Sequence, residues 1–167
     1  MPRKKLDITV PDLSGKVGIR VIRPGDGEQA GGGPIGARII EDGSHTGHRL
    51  GLVVATLPPG PAQPPQHIHH EHEEVFIVTV GKVRFTSGDD HVDVDAGTVA
   101  VVAIGVPHTF SNPFDDKAVF IGTMTPDLYI QYFRDLGQLP VDHQGMLNPA
   151  DIARTMARYA TDVVHPS

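Results

Sequence analysis

The stretch His67–Gly81, HIHHEHEEVFIVTVG, packs four histidines and three glutamates into eight residues, then runs through apolar, mostly β-branched side chains to a glycine. The second half reads as a strand. The first half is either a solvated turn or a metal site. A strand presents alternate side chains to one face, so His67 and His69 point the same way and His70 turns away. Glu74 opens the next strand, with Phe76, Val78 and Val80 on its face. If His67–His69 paired antiparallel with the strand from Glu74 through a turn at His70–Glu73, two imidazoles and one carboxylate would converge. His108, in GlyValProHisThrPhe after a glycine turn and at the start of another strand, is the best candidate for a fourth ligand.

Imidazole and carboxylate together suit one divalent transition metal, Fe, Mn, Ni, Co, Cu or Zn. Three His and one Glu would leave one or two open positions on a five- or six-coordinate ion, which marks a catalytic metal. The chain has no cysteine, which excludes a sulfur-rich structural site, a disulfide framework and a thiol nucleophile.

Outward from this segment, short β-rich runs alternate with turn chemistry. Strands are expected at Val17–Arg23, Ala37–Glu41, Arg49–Leu57, Val75–Val80, Lys82–Ser87, His91–Asp95, Thr98–Ala103, His108–Asn112 and Ala118–Met124. ProGlyAspGly at 24–27, GlyGlyGlyPro at 31–34, SerGlyAspAsp at 87–90 and AsnProPheAspAsp at 112–116 separate them. So many short strands imply two packed sheets or a closed barrel, which also manage the edges. After Met124 the period becomes helical. Thr125-Pro126-Asp127 reads as a helix start, Tyr129, Tyr132, Phe133 and Leu136 as one apolar stripe, and Gly137 as a stop. Asn148-Pro149-Ala150-Asp151 starts a second helix with Ile152, Met156 and Tyr159 on its apolar face. Both helices are read as structural, packed outside the β core; the competing reading gives Tyr129 or Phe133 the closing of one end of a pocket.

The composition fits one globular domain: 167 residues, 39% hydrophobic and 20% charged. A net charge of −6 argues against nucleic acid or an anionic membrane as partner. The basic N-terminus lacks the apolar core of a signal peptide, and no apolar run approaches the roughly 20 residues of a membrane span. A cytoplasmic location is therefore the expectation.

The segment Gly60–Gly81 resembles the first motif of the cupins, G-x5-H-x-H-x3,4-E-x6-G, through Gly60, His67, His69, Glu74 and Gly81, with Gly60 one residue too far upstream. The second motif, G-x5-P-x-G-x2-H-x3-N, is matched by Gly97, Gly105, His108 and Asn112, with Ala103 in place of its proline. The resemblance implies an all-β fold, a double-stranded β-helix or jelly-roll barrel over 37–124. It also implies an N-terminal arm with one strand (1–36) and a C-terminal helical tail (125–167). It implies His67, His69, Glu74 and His108 as the metal ligands and Asn112 as a structural turn residue. His70, Glu71, His72 and Glu73 are then expected to be exposed in the turn. His91 is expected at the surface, and no role attaches to His45, His48, His143 or His165.

The flanks, 45–60 and 125–137, resemble those of small bacterial quercetinase-like cupins. That implies a metal-dependent dioxygenase acting on an aromatic, enolic or polyketide-like small molecule, with O2 as co-substrate and Glu74 as catalytic base. A non-oxidative cyclase, isomerase or decarboxylase, or a non-catalytic binding protein, are the alternatives. A homodimer is also expected, with the N-terminal arm available to a partner's sheet edge. Inward positions expected from alternation are Phe76, Val78, Phe85, Val99, Val101, Phe110 and Ile121, of which Phe76, Val78, Phe85, Phe110 and Ile121 are the candidate pocket residues. Their apolar character, with no inward Lys or Arg cluster, disfavours acidic or phosphorylated substrates.

Overall fold

A computed structural model of the chain describes residues 19–164. Eleven strands and two helices follow in order: β1 (Glu28–Ala30), β2 (Gly36–Asp42), β3 (Gly51–Leu57), β4 (His67–His69), β5 (Glu73–Val80), β6 (Lys82–Ser87), β7 (Asp90–Asp95), β8 (Val99–Val102), β9 (Thr109–Ser111), β10 (Ala118–Thr125), α1 (Ile130–Leu136), α2 (Pro149–Ala157) and β11 (Thr161–Val163). One sheet has the order β1-β2-β3-β10-β5-β8. Facing it are β7-β6-β9 and β11-β4. A two-way backbone pair between His67 and His108, 2.9 Å in each direction, joins these two pieces into one layer. The result is the expected jelly-roll of two packed sheets.

The strand expected at 17–23 is not found: Ile19–Arg23 are irregular, and Val17 and Gly18 lie outside the described residues. The chain first pairs at Glu28–Ala30, against Ala37–Ile39 of β2. Gly81 joins β5 to β6 with φ +70, and a Cβ there would collide with the Lys117 carbonyl, so both conformation and space require glycine. Asn112 is fully buried, as a turn anchor should be. Its amide donates to the carbonyls of Leu57 (3.0 Å) and Asp116 (2.8 Å).

In β5, Glu74, Phe76 and Val78 face inward and are buried, while Val75 and Ile77 face out. Ile121 pairs with Ile77, and Ile77 with Val99. Cross-strand partners share a face, so Ile121, Val99 and Val101 are outward, contrary to expectation. Val99 and Val101 are 54% and 73% exposed. Phe120, Met124, Ala100 and Val102 take the inward places. The inner side carries two apolar clusters. One, around Leu57, Phe76, Val78, Val83, Phe85 and Phe120, is made by strands alone. The other joins Ile39, Val53 and Met124 to Tyr129, Ile130, Tyr132 and Met156 of the tail.

The second helix starts as expected: the Asn148 side chain accepts from the Ala150 amide (2.9 Å), Pro149 follows and Asp151 lies in the first turn. The first starts later than expected. Thr125 is still paired with Glu73 in β10, so its hydroxyl caps nothing and α1 begins at Ile130. The tail also holds β11, an element not anticipated.

Candidate metal centre

His67, His69 and His108 come from the β4–β9 layer and Glu74 from β5 of the opposite sheet. The convergence therefore runs across the sandwich. The expected hairpin pairing between His67–His69 and Glu74 does not form: β4 pairs with β11 and His108, and β5 with β10 and β8. The turn at 70–72 carries the chain from one layer to the other. One ligand atom from each of the four residues lies within 4.8 Å of all the others, and all four residues are at least 96% buried.

The orientation of the imidazoles explains why they converge. His67 Nδ1 donates to the Pro65 carbonyl (2.8 Å), His108 Nδ1 to the Val106 carbonyl (3.0 Å) and His69 Nδ1 to the Thr161 hydroxyl (2.8 Å). Each Nδ1 proton is thereby fixed and each Nε2 is turned to the centre, the arrangement metal-binding histidines use. His69 Nε2 is buried without a hydrogen bond, a costly state that a cation would relieve. Glu74 Oε2 lies 3.0 Å from His108 Nε2 and 3.2 Å from His69 Nε2.

Burial alone would raise the Glu74 pKa, but the hydrogen bond from His108 and the charge of its histidine neighbours hold the carboxyl well below the usual carboxylate range. Burial pushes His67 down to about 3, helped by its two histidine neighbours. Burial also opposes charge on His108, yet the bond to Glu74 lifts its pKa above the ordinary value. His108 thus donates from both nitrogens beside Glu74, and a cation entering the site displaces its Nε2 proton. Three neutral-capable imidazoles and one carboxylate fit a divalent transition metal held by His67, His69, Glu74 and His108.

The turn residues divide. His70 is exposed and meets Asp162 (3.0 Å), and Glu71 and Glu73 are exposed, as expected. His72 is not: it is 1% exposed, its ring 4.0 Å from that of His69 and stacked 4.9 Å from that of Tyr129. Its Nε2 lies 3.9 Å from Glu74 Oε1, and neither ring nitrogen has a hydrogen-bond partner. Burial depresses its pKa to about 4. Period two counted back from Glu74 puts His72 on the inward face, a signal present in the sequence.

A cavity of about 300 Å³ opens beside His67 and Glu74. Phe76 and Phe110 are in its wall, whereas Val78 and Phe85 are packed behind in the strand-only core, and Ile121 is on the other face of the sheet. Much of the remaining wall comes from the tail: Tyr129, Tyr132, Phe133, Leu136, Ile152 and Met156. The helices are therefore cavity walls and not merely an outer layer, which is the competing reading of the apolar stripe. The glycine bend at 31–33 closes the far side, where a Cβ on Gly32 would sit 2.6 Å from the Leu136 carbonyl.

The family model described as "Cupin domain" matches residues 53–124. No curated protein matches the chain. Among solved structures, a sugar phosphate isomerase of the cupin superfamily from Silicibacter pomeroyi superposes with a TM-score of 0.57 at 21% identity, over 64% of this chain and 75% of that one. A predicted oxalate decarboxylase from Thermotoga maritima gives 0.58 at 17%, over 64% and 99%. A Cupin 2 conserved barrel domain protein from Salinispora arenicola gives 0.51 at 16%, over 86% and 99%. At these identities the likeness is one of fold. The segment matched by the family model, 53–124, contains His67, His69, Glu74 and His108 and the strands from β4 to β9.

Proposed function

We propose that the protein is a metal-dependent dioxygenase acting on an uncharged aromatic or enolic small molecule that chelates through one or two oxygens. The observation that supports this best is the union of the His-His-Glu-His quartet with an apolar, aromatic cavity. Phe76, Phe110, Phe120, Tyr129, Tyr132 and Phe133 are in its wall, and among the described residues no Lys or Arg is. A sugar phosphate or a dicarboxylate would find no cationic side chain there to pair with. Its volume sits at the small end of ligand pockets.

A divalent metal held by His67, His69, Glu74 and His108 would acidify a substrate hydroxyl and neutralise its charge. Glu74 supplies the base. The enolic O–H bond breaks, its proton passes to a Glu74 oxygen, and the electron-rich carbon of the enolate reacts with O2, both atoms of which end in the product. The buried carboxylate is ionised beside His69 and His108; those neighbours also weaken it as a base, so proton transfer to it would depend on the metal acidifying the hydroxyl. The aromatic walls exclude water and orient the ring.

Metal analysis of purified protein, followed by oxygen-electrode assays with flavonols and simple enediols, tests the reading. The expected outcome is stoichiometric Fe, Mn, Ni or Co and O2 uptake that disappears in His67→Ala and Glu74→Ala. Turnover without O2 uptake points instead to a non-oxidative cyclase, isomerase or decarboxylase. Ligand binding without turnover points to a non-catalytic binding protein. A His108→Ala protein that keeps its metal removes His108 from the ligand set.

A further inference from the structure

The three histidines of the quartet are oriented in two different ways. His67 and His108 each donate to a carbonyl two residues earlier, Pro65 and Val106, so their own strand ends hold them. His69 donates to a side chain 92 residues later in the chain, that of Thr161. Thr161 is 1% exposed and lies directly opposite His69 in the β11–β4 pair. Its hydroxyl proton is committed to the Tyr159 carbonyl at 3.0 Å. A hydroxyl has one proton, so towards His69 it can only accept. That fixes the proton on His69 Nδ1 and leaves the Nε2 lone pair for the centre.

The strand that carries Thr161 is fastened on both sides of it. The His70 amide donates to the Ala160 carbonyl (3.0 Å), and the Val164 amide to the Gln66 carbonyl (2.7 Å). Four residues upstream α2 ends, and its Ile152 and Met156 are in the cavity wall. Between them Ala160 adopts φ +47, a left-handed conformation rare outside glycine, to turn the chain from helix into strand. The Tyr159 hydroxyl donates to Asp135 (2.5 Å), which ties this corner to the end of α1.

We infer that the C-terminal strand is a working part of the metal centre. Thr161 is a positioning residue that sets the tautomer and angle of His69, and through it the tail holds cavity wall and metal ligand as one unit. The inference rests on reading the quartet as a metal site. Loss of an outer hydrogen bond of this kind weakens metal binding by about 10- to 100-fold.

The test is chelator-competition titration of Co2+ into the full chain, followed by its visible absorption bands. Thr161→Val keeps the shape and removes the acceptor; Thr161→Ser keeps the acceptor. The expected result is Co2+ binding weakened by about 10- to 100-fold in Thr161→Val, with shifted bands, and restored in Thr161→Ser. Equal affinity and identical bands in Thr161→Val overturn the positioning role, as does a Thr161→Ser protein that is as impaired as Thr161→Val. A measurement independent of any variant is the nitrogen–proton correlation spectrum of the metal-free wild type. His69 is expected as the Nδ1–H tautomer, and an Nε2–H tautomer overturns the inference. Wild-type protein that takes up no Co2+ would sink the metal reading itself, an outcome distinct from a silent Thr161→Val.

Discussion

The two faces of the six-stranded sheet are built from the same kinds of residue and do different things. Inward, Glu74, Phe76, Phe120 and Met124 supply a ligand and a cavity wall. Outward, two cross-strand rows run over β3, β10, β5 and β8: Val54-Ile121-Ile77-Val99 and Leu52-Thr123-Val75-Val101. Within these four strands neither row contains a charge, and Arg38 of β2 continues the first row beside Val54. An antiparallel sheet with one wet face ordinarily alternates apolar and polar along each strand, and near-continuous apolar strands are the mark of a sheet covered on both sides. Among the described residues both helices are committed to the inner side, against Ile39, Val53 and Met124. We propose that the expected self-association uses this outer face. A second copy laid face to face would present the same uncharged rows to each other.

Substitutions on the two faces separate these roles. The largest effect on stability is expected from Phe120→Ala on the inner face, where the ring packs against Phe76 (5.2 Å) and Phe110 (4.9 Å) and is 2% exposed. The loss should be about 3–5 kcal/mol in chemical denaturation.

Next is pH. His67 and His72 have folded-state pKa values of about 3 and about 4 against an ordinary 6.5, so below that value the unfolded chain binds more protons than the folded one. Their contribution is present above pH 6.5 and lost as the pH falls towards those values. Glu74, lowered from 4.5, acts in the same direction at more acid pH. His108, raised, acts oppositely: its contribution is present below 6.5 and fades as pH rises through its folded-state value. The His108 contribution is constant below pH 6.5 and does not oppose them, so the denaturation midpoint of metal-free protein is expected to fall steadily between pH 6.5 and 4, and a flat profile would contradict the buried, neutral state of His67 and His72.

Val101→Glu on the outer face should change the stability of the single chain by no more than about 0.5 kcal/mol, because the residue is 73% exposed. Sedimentation velocity reads its real effect: a dimer in the wild type and a monomer in the variant, with metal content unchanged. A wild-type monomer would leave the outer face without the proposed partner. The smallest effect belongs to Tyr129→Phe. The Tyr129 hydroxyl is buried with no hydrogen-bond partner, so its removal should leave stability unchanged or slightly raised by thermal melting.

The same two faces show where sequence reading succeeds and where it stops. The ligand quartet was legible because its spacing is local: His-x-His on one strand face, Glu74 at the head of the next strand, His108 after a glycine turn. Turn glycines such as Gly81 were legible for the same reason, since a positive φ is a one-residue property. Inward and outward were not legible for Ile121, Val99 and Val101, because strands apolar on both sides carry no alternation and only the pairing with Ile77 assigns their face. His72 was missed although its parity with Glu74 places it inward, because charged neighbours on both sides made the whole turn look solvated.

By itself, then, the sequence determined a β-rich jelly-roll, the four residues that could hold a metal, and a tail with two helical stripes. The strands and helical stripes follow from periods of two and 3.6 and from turn chemistry, which act over a few residues; the jelly-roll and the choice of those four residues come from the resemblance to the cupin motifs. Only the tertiary structure decided that Glu74 meets the histidines across the sandwich, that the helices wall the cavity, and that Thr161 holds His69. Each of these is a contact between segments distant in sequence, fixed by which strands pair and by how the tail folds back. No local pattern encodes such closure, because its energy comes from surfaces that exist only once both segments are in place.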